Sequence, residues 1–269
     1  LDQSANTITV NVTAVNDAPV VTVPSARTVN EDTNLAITGI SVADVDAASG
    51  SITVTLAVTN GTLTIASAGG ATVSGSGTSS VTLTGTVTQV NTTLAAANNV
   101  VYRGNTNVNG SDTLTVTAND NGNTGTGGPL TDSKTVAITV TSVNDAPAGA
   151  DTSVTIAEDG SHTFAAADFG FTDPNDSPAN TLAAVRITTL PAAGTLALNG
   201  TPVTAGQSVS ATDIAAGRLV YTPAANANGA AYTSFTFQVQ DDGGTANGGV
   251  DLDQSPNTIT VNVTAVNDA

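Results

Sequence analysis

The chain has 269 residues, enough for about two domains of roughly 100–150 residues each. It has no Cys and a single His, which excludes disulfides, Cys-ligated zinc and most His-based metal chemistry. Five basic residues against 22 acidic ones give a net charge of -17, which excludes binding to a nucleic-acid backbone and disfavours an anionic membrane surface.

Residues 1–16 alternate apolar and polar side chains along Thr7-Ile8-Thr9-Val10-Asn11-Val12-Thr13, the pattern of a half-buried strand. They read as the last strand of a preceding, truncated repeat, because LDQSANTITVNVTAVNDA at residues 1–18 returns at residues 252–269 with only Ala5 changed, to Pro256. The chain therefore reads as a fragment. Its first segment is expected to be an exposed, unpaired edge that is disordered or pairs with a neighbouring chain. The long period is 251 residues, and a weaker echo at Asp132–Pro147 halves it. Three V-N-D-A tags result, at Val15–Ala18, Val143–Ala146 and Val266–Ala269. Pro19 and Pro147 suit stiff, extended junctions.

Residues 17–146 form the first expected domain. Its strands are predicted near 20–29, 34–40, 51–58, 62–66 with 81–85, 99–103, 112–118 and 134–142. Gly and Asn clusters interrupt the runs at intervals suited to a sandwich. The Gly/Ser-rich segment 66–80 suggests no element, and the Ala-rich 91–97 suggests a short helical turn. Residues 147–269 form the second. Its landmarks match those of the first in order: Glu31-Asp32 with Glu158-Asp159, Asp44-Val45-Asp46 with Asp173-Pro174-Asn175-Asp176, Asn60-Gly61 with Ala193-Gly194, and Tyr102 with Tyr221. Near the last strand, Asn119-Asp120-Asn121-Gly122 aligns with Asp241-Asp242-Gly243-Gly244. A capping box at Ser210–Asp213 and a terminal Gly217 predict a short helix. The fold class is all-β: tandem Greek-key β-sandwiches in an extended end-to-end array.

The acids fall at matching loop positions. Glu31 and Glu158, the only two Glu, follow the first strand of each copy, each beside an Asp (Asp32, Asp159). Asp44, Asp46, Asp173 and Asp176 follow the second strand, with Asn175 between the last two. Asp120 and Asp241 precede the last strand, and Asn16, Asp17, Asn144, Asp145, Asn267 and Asp268 belong to the tags. Alternate loops of a sandwich share an end. Glu31, Asp32, Asn144, Asp145, Asp173, Asp176 and Asp241 are therefore expected to converge at the middle tag. Many carboxylates with no His or Cys specify a hard cation, and Ca²⁺ fits better than Mg²⁺, which keeps more water. Asp112, in the sixth strand, stands outside these loops and is expected to be dispensable for the ion.

These landmarks resemble the cadherin-like tandem repeats of giant bacterial surface adhesins, including the RTX type. The resemblance rests on V-N-D-A-P, the E-D after strand one, the D-x-D loop and the N-G before strand six, and it spans the chain. It implies cadherin-like, immunoglobulin-like sandwiches stiffened by Ca²⁺ at their junctions. It further implies a stalk that projects an adhesive tip from a bacterial surface, for cell adhesion or biofilm formation. The implied location is extracellular, and the implied partners are neighbouring repeats of the same chain and a host-cell or matrix surface. No nucleic acid, no membrane insertion and a monomer are expected. The tags depart from the longer D-x-N-D-N linker of animal cadherins, which leaves the number of ions per junction open. An alternative is a carbohydrate- or surface-binding module, for which Tyr102, Tyr221 and Tyr232 would have to be exposed. No acid/base constellation is paired with a nucleophile, so no enzyme is expected.

Overall fold

The computed structural model describes residues 5–267. The chain divides into two compact units, Leu1–Thr141 and Ser142–Ala269.

The first unit contains β1 (Val20–Thr22), β2 (Arg27–Asn30), β3 (Asn34–Ala36), β4 (Ser41–Ala43), β5 (Ser51–Ala57), β6 (Gly61–Thr64), β7 (Thr72–Ser74), β8 (Ser80–Thr86), α1 (Val87–Ala95), β9 (Val101–Gly104), β10 (Gly110–Asn119) and β11 (Thr131–Thr141). Six strands form one sheet in the order β2-β11-β10-β5-β8-β7, and β3-β9-β6 form the facing one. β1 and β4 pair separately. Period-two alternation explains the packing. Ile52, Val54 and Leu56 of β5, Leu114, Val116 and Ala118 of β10, and Val136, Ile138 and Val140 of β11 all turn inward. The intervening Thr side chains face out, as β-branched polar residues suit a pleated, half-wet surface.

The second unit contains β12 (Thr152–Ala157), β13 (His162–Thr163), β14 (Leu182–Ile187), β15 (Thr195–Leu198), β16 (Thr201–Pro202), β17 (Ser208–Ser210), α2 (Ala211–Ala215), β18 (Leu219–Thr222), β19 (Gly229–Asp241) and β20 (Asn257–Thr264). Its sheets are β12-β20-β19-β14-β17 and β13-β18-β15-β16. The core is more aromatic: Phe164, Phe169, Phe235 and Phe237 meet edge-on or tilted at centroid distances of 5.0–5.8 Å. In both units an early strand runs parallel to the last, β2 with β11 and β12 with β20. All other strand pairs are antiparallel, so the topology is that of a Greek-key sandwich.

Three local expectations change. The strand predicted over 20–29 is two strands in different sheets, because Pro24 withdraws a ladder donor between β1 and β2. The helical turn predicted at 91–97 is a nine-residue helix that begins earlier. Thr86 accepts from Gln89 N while the Gln89 side chain accepts from Thr86 N, a capping box that fixes its start. The segment 66–80 contains the edge strand β7, folded back on β8 through Gly75 and Gly77 at positive φ. The α2 cap forms as read: Ser210 Oγ accepts from Asp213 N at 3.0 Å, and Gly217 turns left-handed.

Both copies lock the same corner. Tyr102 and Tyr221 are fully buried. A Cβ on Gly61 or Gly194 would collide with the ring of Tyr102 or Tyr221 respectively, so only Gly fits beneath either phenol. Tyr102 donates to Asp112 Oδ2 at 3.0 Å. Asp112 also accepts from Thr59 N and Asn60 N, each at 3.0 Å, and is 5% exposed. Asp112 is thus outside the loop clusters, as read, but it is a structural acid and no neutral control for substitution.

Residues Ala5–Ala14 join no sheet, and Ile8, Val10 and Val12 are exposed. Val15 alone makes a bridge, with Thr126.

Candidate functional site

The N-terminal tag enters the first unit through a local network. Asn16 Nδ2 donates to Asp120 Oδ2 at 2.7 Å and to Gly128 O at 3.0 Å. Asp17 N donates to Asp46 Oδ2 at 2.8 Å. Asp44 Oδ1 accepts from Asp46 N and Ala47 N, and Gly122 N donates to Asp120 Oδ1.

The second unit repeats the main links of this arrangement at its own tag. Asn144 Nδ2 donates to Asp241 Oδ1 at 3.0 Å and to Val250 O at 2.8 Å. Asp145 N donates to Asp176 Oδ2 at 3.0 Å, and Gly243 N to Asp241 Oδ1 at 2.9 Å. Asp120 therefore corresponds to Asp241, one position from the alignment with Asp242 read from the sequence. Asp242 instead accepts from Thr181 N and Oγ1, and those bonds hold its carboxyl below the usual range. A cleft of about 220 Å³ lies beside the second cluster, lined by Asn144, Asp176, Asn180 and Gly243.

Several carboxylate and amide oxygens in these networks are buried yet accept no hydrogen bond: Asn16 Oδ1, Asp44 Oδ2 and Asp46 Oδ1 in the first unit, Asp173 Oδ1 and Asp241 Oδ2 in the second. Leaving a buried acceptor unpaired costs about 1–3 kcal/mol, more when it is charged. The electrostatics match. Burial and the adjacent Asp173 and Asp145 push the Asp176 carboxyl up to about 6, against a bond from Asp145 N that lowers it. Burial also raises Asp241, and burial with the Asp46 contact raises Asp44. Asp120 goes the other way: burial raises it, but bonds from Gly122 N, Leu130 N and Asn16 outweigh that and leave it low.

The Glu-Asp pairs occupy other loops. Glu31, 4% exposed, follows β2 and donates its N–H to Thr141 O. Asp32 lies 3.9 Å from Arg103. Glu158 accepts from Asn228 Nδ2 and from Val266 N at 2.6 Å, which holds its carboxyl low, and Asp159 accepts from Asn226 N. Asn267 is exposed, Asn175 is exposed between Asp173 and Asp176, and Asp268 lies outside the described residues.

Within single units, then, Asn16, Asp17, Asp44, Asp46 and Asp120 form one network, and Asn144, Asp145, Asp173, Asp176 and Asp241 the other. Among the described residues no three Asp, Glu or His side chains have the spacing of a formed metal site. The unpaired buried oxygens still fit a hard cation, provided the carboxylates draw inward.

Sequence reading missed Asn180, whose N–H donates to Asp173 Oδ2 at 2.7 Å and whose amide contacts Asn144 Oδ1. A lone Asn after a Pro-containing loop carries no signal of its own. It also missed Gly243, where a Cβ would fall on Asn144 Oδ1; its place directly after Asp241-Asp242 was the available clue. Tyr102 and Tyr221, whose exposure the carbohydrate-binding alternative requires, are core residues.

The two units are Greek-key sandwiches of the immunoglobulin-like and cadherin-like class. Residues 144–264 match the family described as bacterial Ig domain. No curated protein matches the chain. Among solved structures, a protocadherin gammaB7 EC3-6 cis-dimer is similar over 93% of this chain and 52% of its own, at 16% identity and TM-score 0.44. Mouse cadherin-23 EC22-24 is similar over 94% and 67%, at 17% identity and TM-score 0.40. Human mucin-like protocadherin EC1-2 is similar over 92% and 98%, at 12% identity and TM-score 0.40. The chain spans about half the length of the first of these. Among the described residues no helix is long and apolar enough to cross a membrane.

Proposed function

We propose that the chain is a calcium-stiffened structural repeat from the stalk of a bacterial cell-surface adhesin, held outside the cell and projecting an adhesive tip. What carries the reading is the constellation present once in each unit: a tag Asn and Asp tied to two acidic loops, with buried oxygens that accept no hydrogen bond from the described residues. A hard cation of six to eight oxygen ligands suits such a donor set. Asp173, Asp176, Asp241 and Asp145 would hold it in the second unit, and Asp44, Asp46, Asp120 and Asp17 in the first, with Asn144 and Asn16 completing the shells. The ion neutralises carboxylates that repel one another without it. It also fixes the tag, which is the covalent lead into each sandwich, onto that sandwich's loops. The cores are remote from the ion, so it changes stiffness more than folding.

Calorimetric titration with calcium tests this. The expected dissociation constants lie around 10⁻⁵–10⁻³ M, as for extracellular modules. Asp176→Asn should remove the second unit's site and Asp46→Asn the first unit's. Small-angle scattering should show a larger maximum dimension with calcium than with excess chelator. No binding heat in either unit, or binding unchanged in both variants, sinks the proposal. Binding with an unchanged maximum dimension would leave a calcium protein but remove the stiffening.

A further inference from the structure

The chain holds six Asn-Gly pairs, at Asn60, Asn109, Asn121, Asn199, Asn228 and Asn247. In such a pair the Gly backbone nitrogen can attack the Asn side-chain carbonyl carbon, because no Cβ shields it. The attack needs the Asn to turn and its amide to come free, so hydrogen bonds that hold the pair must break first. The structure ties the six to different degrees. Asn121 Nδ2 donates to Ser51 O at 2.8 Å, and Gly122 N to Asp120 Oδ1 at 2.8 Å. Asn228 Nδ2 donates to Glu158 Oε2 at 3.0 Å, and Gly229 pairs with Val263. Asn60 is bonded at its N–H by Asp112 and at its carbonyl by Asn105, and Gly61 lies buried under the Tyr102 ring. Gly110 pairs with Val140 behind a half-buried Asn109. Asn199 is exposed, but its N–H donates to Arg218 O at 2.8 Å within the two-residue hairpin between β15 and β16. Asn247 stands apart. It is exposed at φ 57 in the short turn Ala246–Gly248, and a Cβ on Gly248 would meet nothing within 4 Å. Among the described residues, nothing beyond that turn's own backbone is hydrogen-bonded to the pair.

We propose that Asn247-Gly248 is a self-acting modification site, where Asn247 deamidates in the folded protein and alters the loop that grips the tag Asn144. Gly248 N bonds to Asn247 Cγ and closes a succinimide ring. The Gly248 amide proton leaves with Nδ2 as ammonia. Water then opens the ring in one of two ways. Breaking the bond from Gly248 N to Cγ leaves Asp. Breaking the bond from Gly248 N to the backbone carbonyl carbon leaves isoaspartate, whose main chain runs through the side chain and is longer by one atom. Water is the only co-reactant.

The turn is joined directly to the tag. Gly249 N donates to Ala246 O at 3.0 Å across it, and a Cβ on Gly249 would lie 3.0 Å from Asn144 Cβ. The next residue holds Asn144 on both sides: Val250 N donates to Asn144 O at 2.9 Å, and Asn144 Nδ2 to Val250 O at 2.8 Å. An extra main-chain atom inside the turn pushes Gly249 against Asn144, where there is no slack, and loosens both bonds. The modification needs no metal ion, so it stands or falls apart from the calcium reading.

The unfolded chain supplies the reference, because the six pairs are chemically alike. The intact protein is aged in warm, mildly alkaline buffer, folded and in urea, and each pair is followed by peptide mass spectrometry for the gain of one mass unit. In urea the six rates should be similar. Folding should slow Asn60, Asn121 and Asn228 at least about tenfold, since two bonds must open together, and leave Asn247 within about twofold of its urea rate. If folding slows Asn247 as much as the tied pairs, the proposal is overturned. The aged protein should also exchange the Val250 amide faster than an Asn247→Asp chain, which gains the charge without the extra atom. Equal exchange in the two would overturn the link to the tag.

Discussion

Asp176→Asn should stabilise the metal-free protein while abolishing its response to calcium. Asp176 is 8% exposed, and burial beside Asp173 and Asp145 raises its carboxyl from an ordinary 3.8 to about 6. The shift is roughly two units at about 1.4 kcal/mol each, so ionised Asp176 costs the native state about 3 kcal/mol. The native state binds this proton more tightly than the unfolded chain does. The stability it confers is therefore complete below about pH 4 and lost as pH rises through about 6. An Asn mimics the protonated acid and keeps an oxygen for Asp145 N. In chelator the variant should exceed the parent by about 3 kcal/mol at pH 7.5 and by only about 1 kcal/mol at pH 4.5. Taking the difference between the two proteins removes Glu158, Asp213 and Asp242, whose lowered carboxyls give the opposite slope. At calcium about 100 times its dissociation constant, the parent gains about 2.7 kcal/mol and the variant much less, so the gap should nearly close at pH 7.5. Urea unfolding read by phenylalanine near-ultraviolet dichroism is the assay, since all five Phe lie in the second unit. If the variant is no more stable than the parent in chelator at pH 7.5, Asp176 is an ordinary turn acceptor and the strained-cluster reasoning fails.

Three further outcomes are expected. Asp112→Ala orphans Thr59 N, Asn60 N and the Tyr102 hydroxyl, and should destabilise the first unit by about 3 kcal/mol or more, seen as roughly hundredfold faster amide exchange in β10 and β5. Gly243→Ala drives a methyl into Asn144 and Asn180, and should weaken calcium binding to the second unit at least tenfold in calorimetry with little change at the first. Thr86→Ala removes the α1 cap and should cost about 1 kcal/mol, visible as a drop of a few degrees in the melting of the first unit.

The strands were legible wherever one face is buried, because alternation then writes itself into the sequence: β5, β10, β11 and β20 fall where Thr alternates with aliphatic residues, and β19 where polar residues alternate with Phe and Val. What was not legible depended on partners distant in the chain. Nothing local says that residues 20–30 feed two sheets; that follows from β1 meeting β4 and β2 meeting β11. The grouping of tag and loop acids was readable because each copy repeats it. The one-residue offset between Asp120 and Asp241 was not, since Asp241-Asp242 offers two carboxylates and only the bond to the tag Asn distinguishes them. Buried acids inside elements, such as Asp112, look like any solvent-facing polar residue in an alternating run until the tyrosine that needs them is placed.

The parallel pairing of early and last strands has a mechanical consequence. Pulling a unit by its two ends loads these neighbouring strands in opposite directions along their length. Their hydrogen bonds then share the load as a shear joint and do not unzip one at a time. The second unit joins β12 to β20 through six registered pairs, Thr152 with Ile259 to Ala157 with Thr264. The first joins β2 to β11 through four, Arg27 with Ile138 to Asn30 with Thr141. By this count the first unit has the shorter shear joint and the second the longer. If the proposed stalk bears load, the first unit is expected to yield before the second, releasing its length while the Phe-rich sandwich still holds.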